Sequence, residues 1–285
     1  MMKEVLIAES AGFCFGVKRA MNMAQKELEE KKDISVYALG PLIHNKQAVE
    51  KYENMGLITI DKIDEVDQNL ESEMIIRSHG VAKIIYDEAE RNGIEVVDTT
   101  CPFVRKIHYI VSKGEEENKK IILLGDKNHP EVIGINGWCK DKAIIFKDFE
   151  EVKNYDFDKE KEYLVVSQTT MNEKNFDTII EHLKSLELKL SVKNTICSAT
   201  RVRQQAAREL SEKVDIMVVI GGKHSSNTQK LVKICSEIVD TVSIETKEDM
   251  KDFDFGRYNV VGVTAGASTP DWIIEDAVQY LKNCD

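Results

Sequence analysis

The chain repeats itself. Cys14, Cys101 and Cys197 stand 87 and 96 residues apart, close to one third of the 285-residue length. Each ends a short apolar stretch and opens a helical one. Three copies of one plan restrict the fold strongly, because each copy must bury equivalent strands and present equivalent loops. After the cysteines, helices are predicted over 17–31, 104–118 and 199–213. These have apolar residues at i, i+3, i+4 spacing and charged outer faces.

Each copy next shows an apolar strand ending in glycine, at 36–40, 121–125 and 216–221. A histidine follows a few residues on: His44, His129 and His224, at 30, 28 and 27 residues from the cysteine. A polar-capped helix and a short strand with acidic trailing residues come next. A further apolar strand then ends in small polar groups: Ser78-His79-Gly80, Gln168-Thr169-Thr170 and Ala265-Gly266-Ala267-Ser268. Helices over 81–92, 173–186 and 271–283 close the copies. Short, wholly apolar strands alternating with helices predict parallel sheets covered on both faces. The expected architecture is α/β, with three pseudo-threefold-related domains at 1–95, 96–190 and 191–285, each a small mostly parallel sheet flanked by helices. Ligands of such sheets bind outside the carboxyl ends of the strands. Domains facing inward would therefore bring Cys14, His44, His79, Cys101, His129, Thr169, Cys197, Ser225 and Ser268 to one central cavity.

Charge and composition narrow the function. A net charge of −11 argues against nucleic-acid binding by bulk electrostatics, though not against a small anion held by local donors. No apolar run reaches the length of a membrane span, and Met-Met-Lys-Glu followed by a short strand does not read as a signal peptide. A cytoplasmic protein is expected, and with no oligomer signature, a monomer. Six cysteines in a chain of this size, without dense spacing, suggest metal binding or thiol chemistry rather than a disulfide framework.

Three converging thiolates are soft ligands suited to Zn²⁺, Cu(I) or an iron–sulfur cluster. A closed structural zinc site asks for a fourth ligand, and none stands at matching spacing. His44, His79, His129, Thr169, Ser225, Ser226, Asn227 and Ser268 form a set of neutral or cationic donors fit for an anion. Glu131, in His129-Pro130-Glu131, is the lone acid among them and a candidate proton donor. A hydro-lyase acting on a hydroxy acid would need arginines for carboxylates. Only Arg77 is near a site motif.

Phe13-Cys14-Phe15-Gly16-Val17, Ile43-His44-Asn45, Ser78-His79-Gly80-Val81, Asp98-Thr99-Thr100-Cys101-Pro102, His129-Pro130-Glu131, Gln168-Thr169-Thr170, Asn194-Thr195-Ile196-Cys197, Ser225-Ser226-Asn227 and Ala265-Gly266-Ala267-Ser268 resemble the motif set of the 4-hydroxy-3-methylbut-2-enyl diphosphate reductases, the IspH or LytB family. The resemblance spans essentially the whole chain. It implies the last step of the methylerythritol phosphate route to isoprenoids. There the allylic hydroxyl of (E)-4-hydroxy-3-methylbut-2-enyl diphosphate is reductively removed, giving isopentenyl and dimethylallyl diphosphates. It implies an oxygen-sensitive [4Fe-4S] cluster on Cys14, Cys101 and Cys197, with one iron open toward the substrate hydroxyl. It further implies diphosphate contacts from His44, His79, His129, Ser225, Ser226, Asn227 and Ser268, a proton relay through Glu131 and Thr169, and a ferredoxin- or flavodoxin-type electron donor. His224 stands where relatives often have asparagine and is not assigned a role. The appended RNA-binding domain of some members is not expected here.

Other residues have plainer readings. Cys235 is expected to pack a helix face, and Cys139 and Cys284 follow no pattern. His108 and His182 sit among apolar neighbours at helical spacing and are expected to be structural or on the surface. Glu131 could also support a helix start, and Ser225 a helix cap. Acidic runs such as Glu115-Glu116-Glu117 read as solvated faces.

Overall fold

The computed structural model describes residues 4–67 and 69–283, so Cys284 lies outside the described residues. In chain order, β1 (Glu4–Ile7), α1 (Phe15–Glu30), β2 (Ser35–Leu39), α2 (Lys46–Glu53), β3 (Leu57–Ile60), β4 (Ser72–Ile76) and α3 (Lys83–Arg91) come first. β5 (Glu95–Asp98), α4 (Pro102–Glu116), β6 (Lys120–Leu124), α5 (Pro130–Gly137), β7 (Ile144–Phe146), α6 (Phe149–Lys153), β8 (Glu162–Ser167) and α7 (Glu173–Ser185) follow. β9 (Lys189–Val192), α8 (Ser198–Ser211), β10 (Ile216–Ile220), α9 (Ser226–Ser236), β11 (Asp240–Ile244), β12 (Val260–Ala265) and α10 (Asp271–Asn283) complete the chain.

The strands form three four-stranded sheets, ordered β3-β2-β4-β5, β7-β6-β8-β9 and β11-β10-β12-β1, and every pairing is parallel. The strand that leads to a cysteine is thus the fourth strand of the preceding copy's sheet. Ile76 stands opposite Asp98, Val165 opposite Val192, and Val263 opposite Ile7. A β-helix-β crossover returns the next strand beside the one it left. α3 therefore delivers β5 to β4, and α7 delivers β9 to β8. Among the described residues no strand follows α10, and β1 fills the equivalent place. The expected divisions at 95/96 and 190/191 fall inside β5 and β9, so sequence repeat and sheet are offset by one strand.

By its contacts the chain divides into two compact units. One comprises the stretch through Lys18, Ile43–Lys51 and the chain from Ser198 onward, and holds the β11-β10-β12-β1 sheet. Its two faces follow the period-2 alternation of β10. Ile216, Val218 and Ile220 pack with Ile273, Ala277 and Leu281 of α10, while Met217 and Val219 pack with Ala207 and Leu210 of α8 and Leu231 of α9. The other unit, Arg19–Leu42 and Tyr52–Cys197, holds the remaining two sheets. There Tyr37, Leu39, Met74 and Ile76 bury against α3. Ile122, Leu124 and Val165 face Phe176, Ile179 and Leu183 of α7, and Ile121, Leu123 and Val166 face α4 and α5. The two sheets of this unit are joined where Trp138 Nε1 donates to Val81 O at 2.9 Å and the His108 ring stacks on Trp138 at 5.1 Å. No helix among the described residues is long and apolar enough to cross a membrane.

A short helical turn follows one edge strand of each sheet, β3, β7 or β11: Ile63–Glu65, α6 and Lys247–Met250. Acidic side chains help to cap it, Asp148 trailing β7 directly and Glu65 and Asp249 from within the turns. Asp148 Oδ1 accepts from Glu151 N–H, Glu65 from the amides of Asp61 and Lys62, and Asp249 from those of Glu245 and Thr246.

Candidate active site

In the two-sheet unit, the loops at the carboxyl ends of the strands form one hydrogen-bonded and packed series. Cys101 is the N-cap residue of α4, with Pro102 at the first helical position. Its N–H donates to Ser78 O at 3.0 Å, which lays the Cys101 loop along the turn carrying His79. Gly80, at φ +70°, completes that turn. A Cβ there would lie 2.5 Å from His108 Cε1, so the turn closes down on a buried ring only with glycine. The rings of His79 and His129 meet edge to face with centroids 5.6 Å apart.

His129 caps α5, its Nδ1 accepting from Glu131 N–H at 3.1 Å. Glu131, 3% exposed, points its carboxylate at the loop after β8. Thr169 N–H donates to Oε1 at 2.6 Å and Thr169 Oγ1 to Oε2 at 2.7 Å. Thr169 O in turn accepts from Cys197 N–H at 2.9 Å. Cys101, His79, His129, Glu131, Thr169 and Cys197 are thereby linked in a single series. A buried carboxylate bonded to a hydroxyl can hold a proton or pass one to that oxygen without opening to bulk water.

The other unit builds its own group. Cys14 N–H donates to Ala267 O at 3.2 Å, and Cys14 O accepts from Lys18 N–H at the start of α1. Ser268 Oγ donates to His44 O at 3.3 Å. Gly222 also abuts His44, because a Cβ there would lie 2.6 Å from His44 O. Ser225 caps α9 by accepting from Thr228 N–H, while Ser226 Oγ accepts from Lys230 Nζ at 3.0 Å. Asn227 is 5% exposed, and both polar atoms of its side-chain amide are buried without a hydrogen-bond partner. An orphaned amide costs free energy unless a ligand completes it. His224 is exposed.

The cysteines fall into two classes. Cys14, Cys101 and Cys197 are half-buried thiols, each within a residue of a helix start. Cys139 and Cys235 are fully buried. Burial pushes the Cys139 thiol up to about 11 and raises that of Cys235, so both remain protonated packing groups. His108 is likewise structural: it is 2% exposed and burial lowers its pKa to about 4. His182 sets its ring edge to face against Phe149 at 5.2 Å.

Two arginines were not singled out by sequence reasoning. Arg203 of α8, 3% exposed, donates from Nη2 to Gly12 O at 2.8 Å and so braces the loop that precedes Cys14. Arg19 of α1 donates to Thr99 O and Thr100 O at 3.3 and 3.4 Å, bracing the loop that precedes Cys101.

Comparison with known proteins gives the family. The LytB protein family matches residues 5–282. The chain is 53% identical over 279 residues to a 4-hydroxy-3-methylbut-2-enyl diphosphate reductase of Clostridioides difficile (strain 630), covering 98% of this chain and 99% of that protein. It is 48% identical to a protein of the same name from Caldanaerobacter subterraneus subsp. tengcongensis, covering 98% and 97%. Among solved structures, the E-1-hydroxy-2-methyl-but-2-enyl-4-diphosphate reductase from Plasmodium falciparum is similar with a TM-score of 0.93 at 30% identity, over 99% of this chain and 89% of that one. A structure of (E)-4-hydroxy-3-methyl-but-2-enyl diphosphate reductase, described as the terminal enzyme of the non-mevalonate pathway, is similar with a TM-score of 0.70 at 39% identity, over 99% of both chains. A match over nearly every residue, with the same three parallel sheets, makes this chain a member of the LytB family.

Proposed function

We infer that this chain is a 4-hydroxy-3-methylbut-2-enyl diphosphate reductase, acting at the end of the non-mevalonate route to isoprenoids. The observation that carries the reading is the Glu131–Thr169 pair, a buried acid bonded to a hydroxyl between His129 and Cys197. Cys14, Cys101 and Cys197 would hold a [4Fe-4S] cluster. Their fit rests on the donor set: three half-buried thiols at helix starts, in contrast to the protonated, fully buried Cys139 and Cys235. Such a cluster, when bound, supplies single electrons and a Lewis-acidic iron for the departing hydroxyl.

The protein's own groups do the rest. His44, His79, His129, Ser225, Ser226, Asn227 and Ser268 bind the diphosphate, and fixing that end orients the alcohol at the other. Asn227 gains the partner its buried amide lacks. Loss of the hydroxyl breaks a carbon–oxygen bond and consumes two electrons and two protons. One proton leaves in water and the other ends on carbon, giving isopentenyl or dimethylallyl diphosphate. Glu131 holds the proton at Oε2, and Thr169 Oγ1 passes it toward the substrate alcohol and diphosphate. The electrons come from a ferredoxin- or flavodoxin-type donor.

The test is anaerobic purification, iron and sulfide analysis, and a reduced-viologen assay with the hydroxylated diphosphate. The expected result is about four irons and four sulfides per chain, with viologen oxidation that depends on substrate. Folded, iron-free protein, or iron-loaded protein inert toward this substrate, would overturn the reading.

A further inference from the structure

Arg77 follows β4 directly and opens the turn that presents His79, its O accepting from Gly80 N–H at 3.0 Å. Its guanidinium lies over the end of the neighbouring strand β2. Gly40 makes that possible, since a Cβ at Gly40 (φ +69°) would stand 2.5 Å from Nη1 and 3.3 Å from Cζ. The slot is therefore kept open by glycine at the carboxyl edge of the sheet, where parallel sheets take ligands. Arg77 Nε is buried without a hydrogen-bond partner. Burial is the cause that lowers the pKa of the guanidinium, and no neighbouring charge offsets it. The other arginines that meet loops near the cysteines are occupied, Arg19 with Thr99 and Thr100 and Arg203 with Gly12.

A charge withdrawn from water without a counter-charge destabilises the fold that holds it. It persists where a ligand supplies the missing partner. A guanidinium is planar and presents a fork of N–H donors that matches two oxygens of a phosphate.

We propose that Arg77 is a phosphoryl-binding residue: its guanidinium, held over the end of β2 by the Gly40 slot, takes the substrate's diphosphate as its counter-charge. The proposal rests on the reductase reading, which supplies the diphosphate. It differs from a structural role in one respect. A structural arginine stabilises the ligand-free protein, whereas this one is a cost until the anion arrives.

The experiment titrates inorganic diphosphate into anaerobically prepared full-length protein and records thermal melts with and without it, for wild type, Arg77→Gln and Arg77→Lys. The expected outcome is a ligand-free Tm for Arg77→Gln equal to or above wild type, with diphosphate affinity at least about tenfold weaker. Unchanged affinity overturns the proposal, whatever the melting point does. If Arg77→Gln does not fold, Arg77→Lys decides: it keeps charge but lacks the fork, so it must bind more weakly than wild type, and equal affinity overturns the proposal. A wild type that turns over substrate while Arg77→Gln binds diphosphate equally well sinks this assignment and leaves the reductase reading intact. A wild type without turnover sinks that reading, and the affinity difference still decides Arg77.

Discussion

Glu131 and Thr169 meet because two loops from adjacent strands of one sheet end at the same edge. Replacing Glu131 with Gln keeps the shape and an acceptor for Thr169 N–H but removes the proton. Turnover is expected to fall by about a hundredfold or more, with iron content and diphosphate affinity retained; near-normal turnover would dispose of the relay. His108 bears on stability through pH. Its folded pKa of about 4 lies below the ordinary histidine value, so protonation favours the unfolded chain. Its contribution is complete above pH 6.5 and is lost as pH falls toward 4, amounting to about 3 kcal/mol over that window. Denaturant melts at pH 7 and pH 4.5 should show His108→Phe losing less stability than wild type. The histidines and the thiols were singled out in the sequence because they stand at repeated places, and Glu131 because it is the lone acid among the donors. Arg19 and Arg203 were not, since their bonds go to backbone carbonyls far along the chain, which no local pattern records.

At the scale of elements, runs such as Ile121–Leu124 and Ile216–Ile220 announced buried strands, and the glycines after them marked where those strands stop. The helical turns after β3, β7 and β11 were missed, although one acidic cap, Asp148, was noticed as a trailing residue. A single turn has too few apolar positions to show a helical period. One element also carries a polar burden. Glu73, on the central strand β4, is 1% exposed and pairs with Lys31 beyond the end of α1. Lys31→Met would strand that carboxylate and is expected to destabilise by roughly 2–3 kcal/mol, with Lys31 itself partly exposed. The double substitution with Glu73→Met should recover most of the loss, as chemical denaturation of the two variants would show. No recovery in the double variant would mean that the pair is not the cause.

For the whole molecule, the sequence repeat and the sheets do not share boundaries. Apolar patterning shows that a strand is buried but not which neighbour it pairs with, and that choice fell to the crossover helices. The offset makes a prediction. Deleting residues 1–8 should weaken the sheet of β10, β11 and β12 and spare the one that β2 begins. Hydrogen exchange would show lost protection at Val261 and Val263, with Val36 and Ile75 unchanged.

The same pairing of β1 with β12 orders events during synthesis. The ribosome makes Val5 long before its partner Val261, so β1 waits unpaired while two complete sheets form behind it. Cys14 waits with it, because its amide bonds to Ala267. Completion of the Cys14 loop therefore waits for the last strand: nascent chains stalled before β12 can hold Cys101 and Cys197 in their final loops, but the loop of Cys14 is fixed only once Ala267 has emerged.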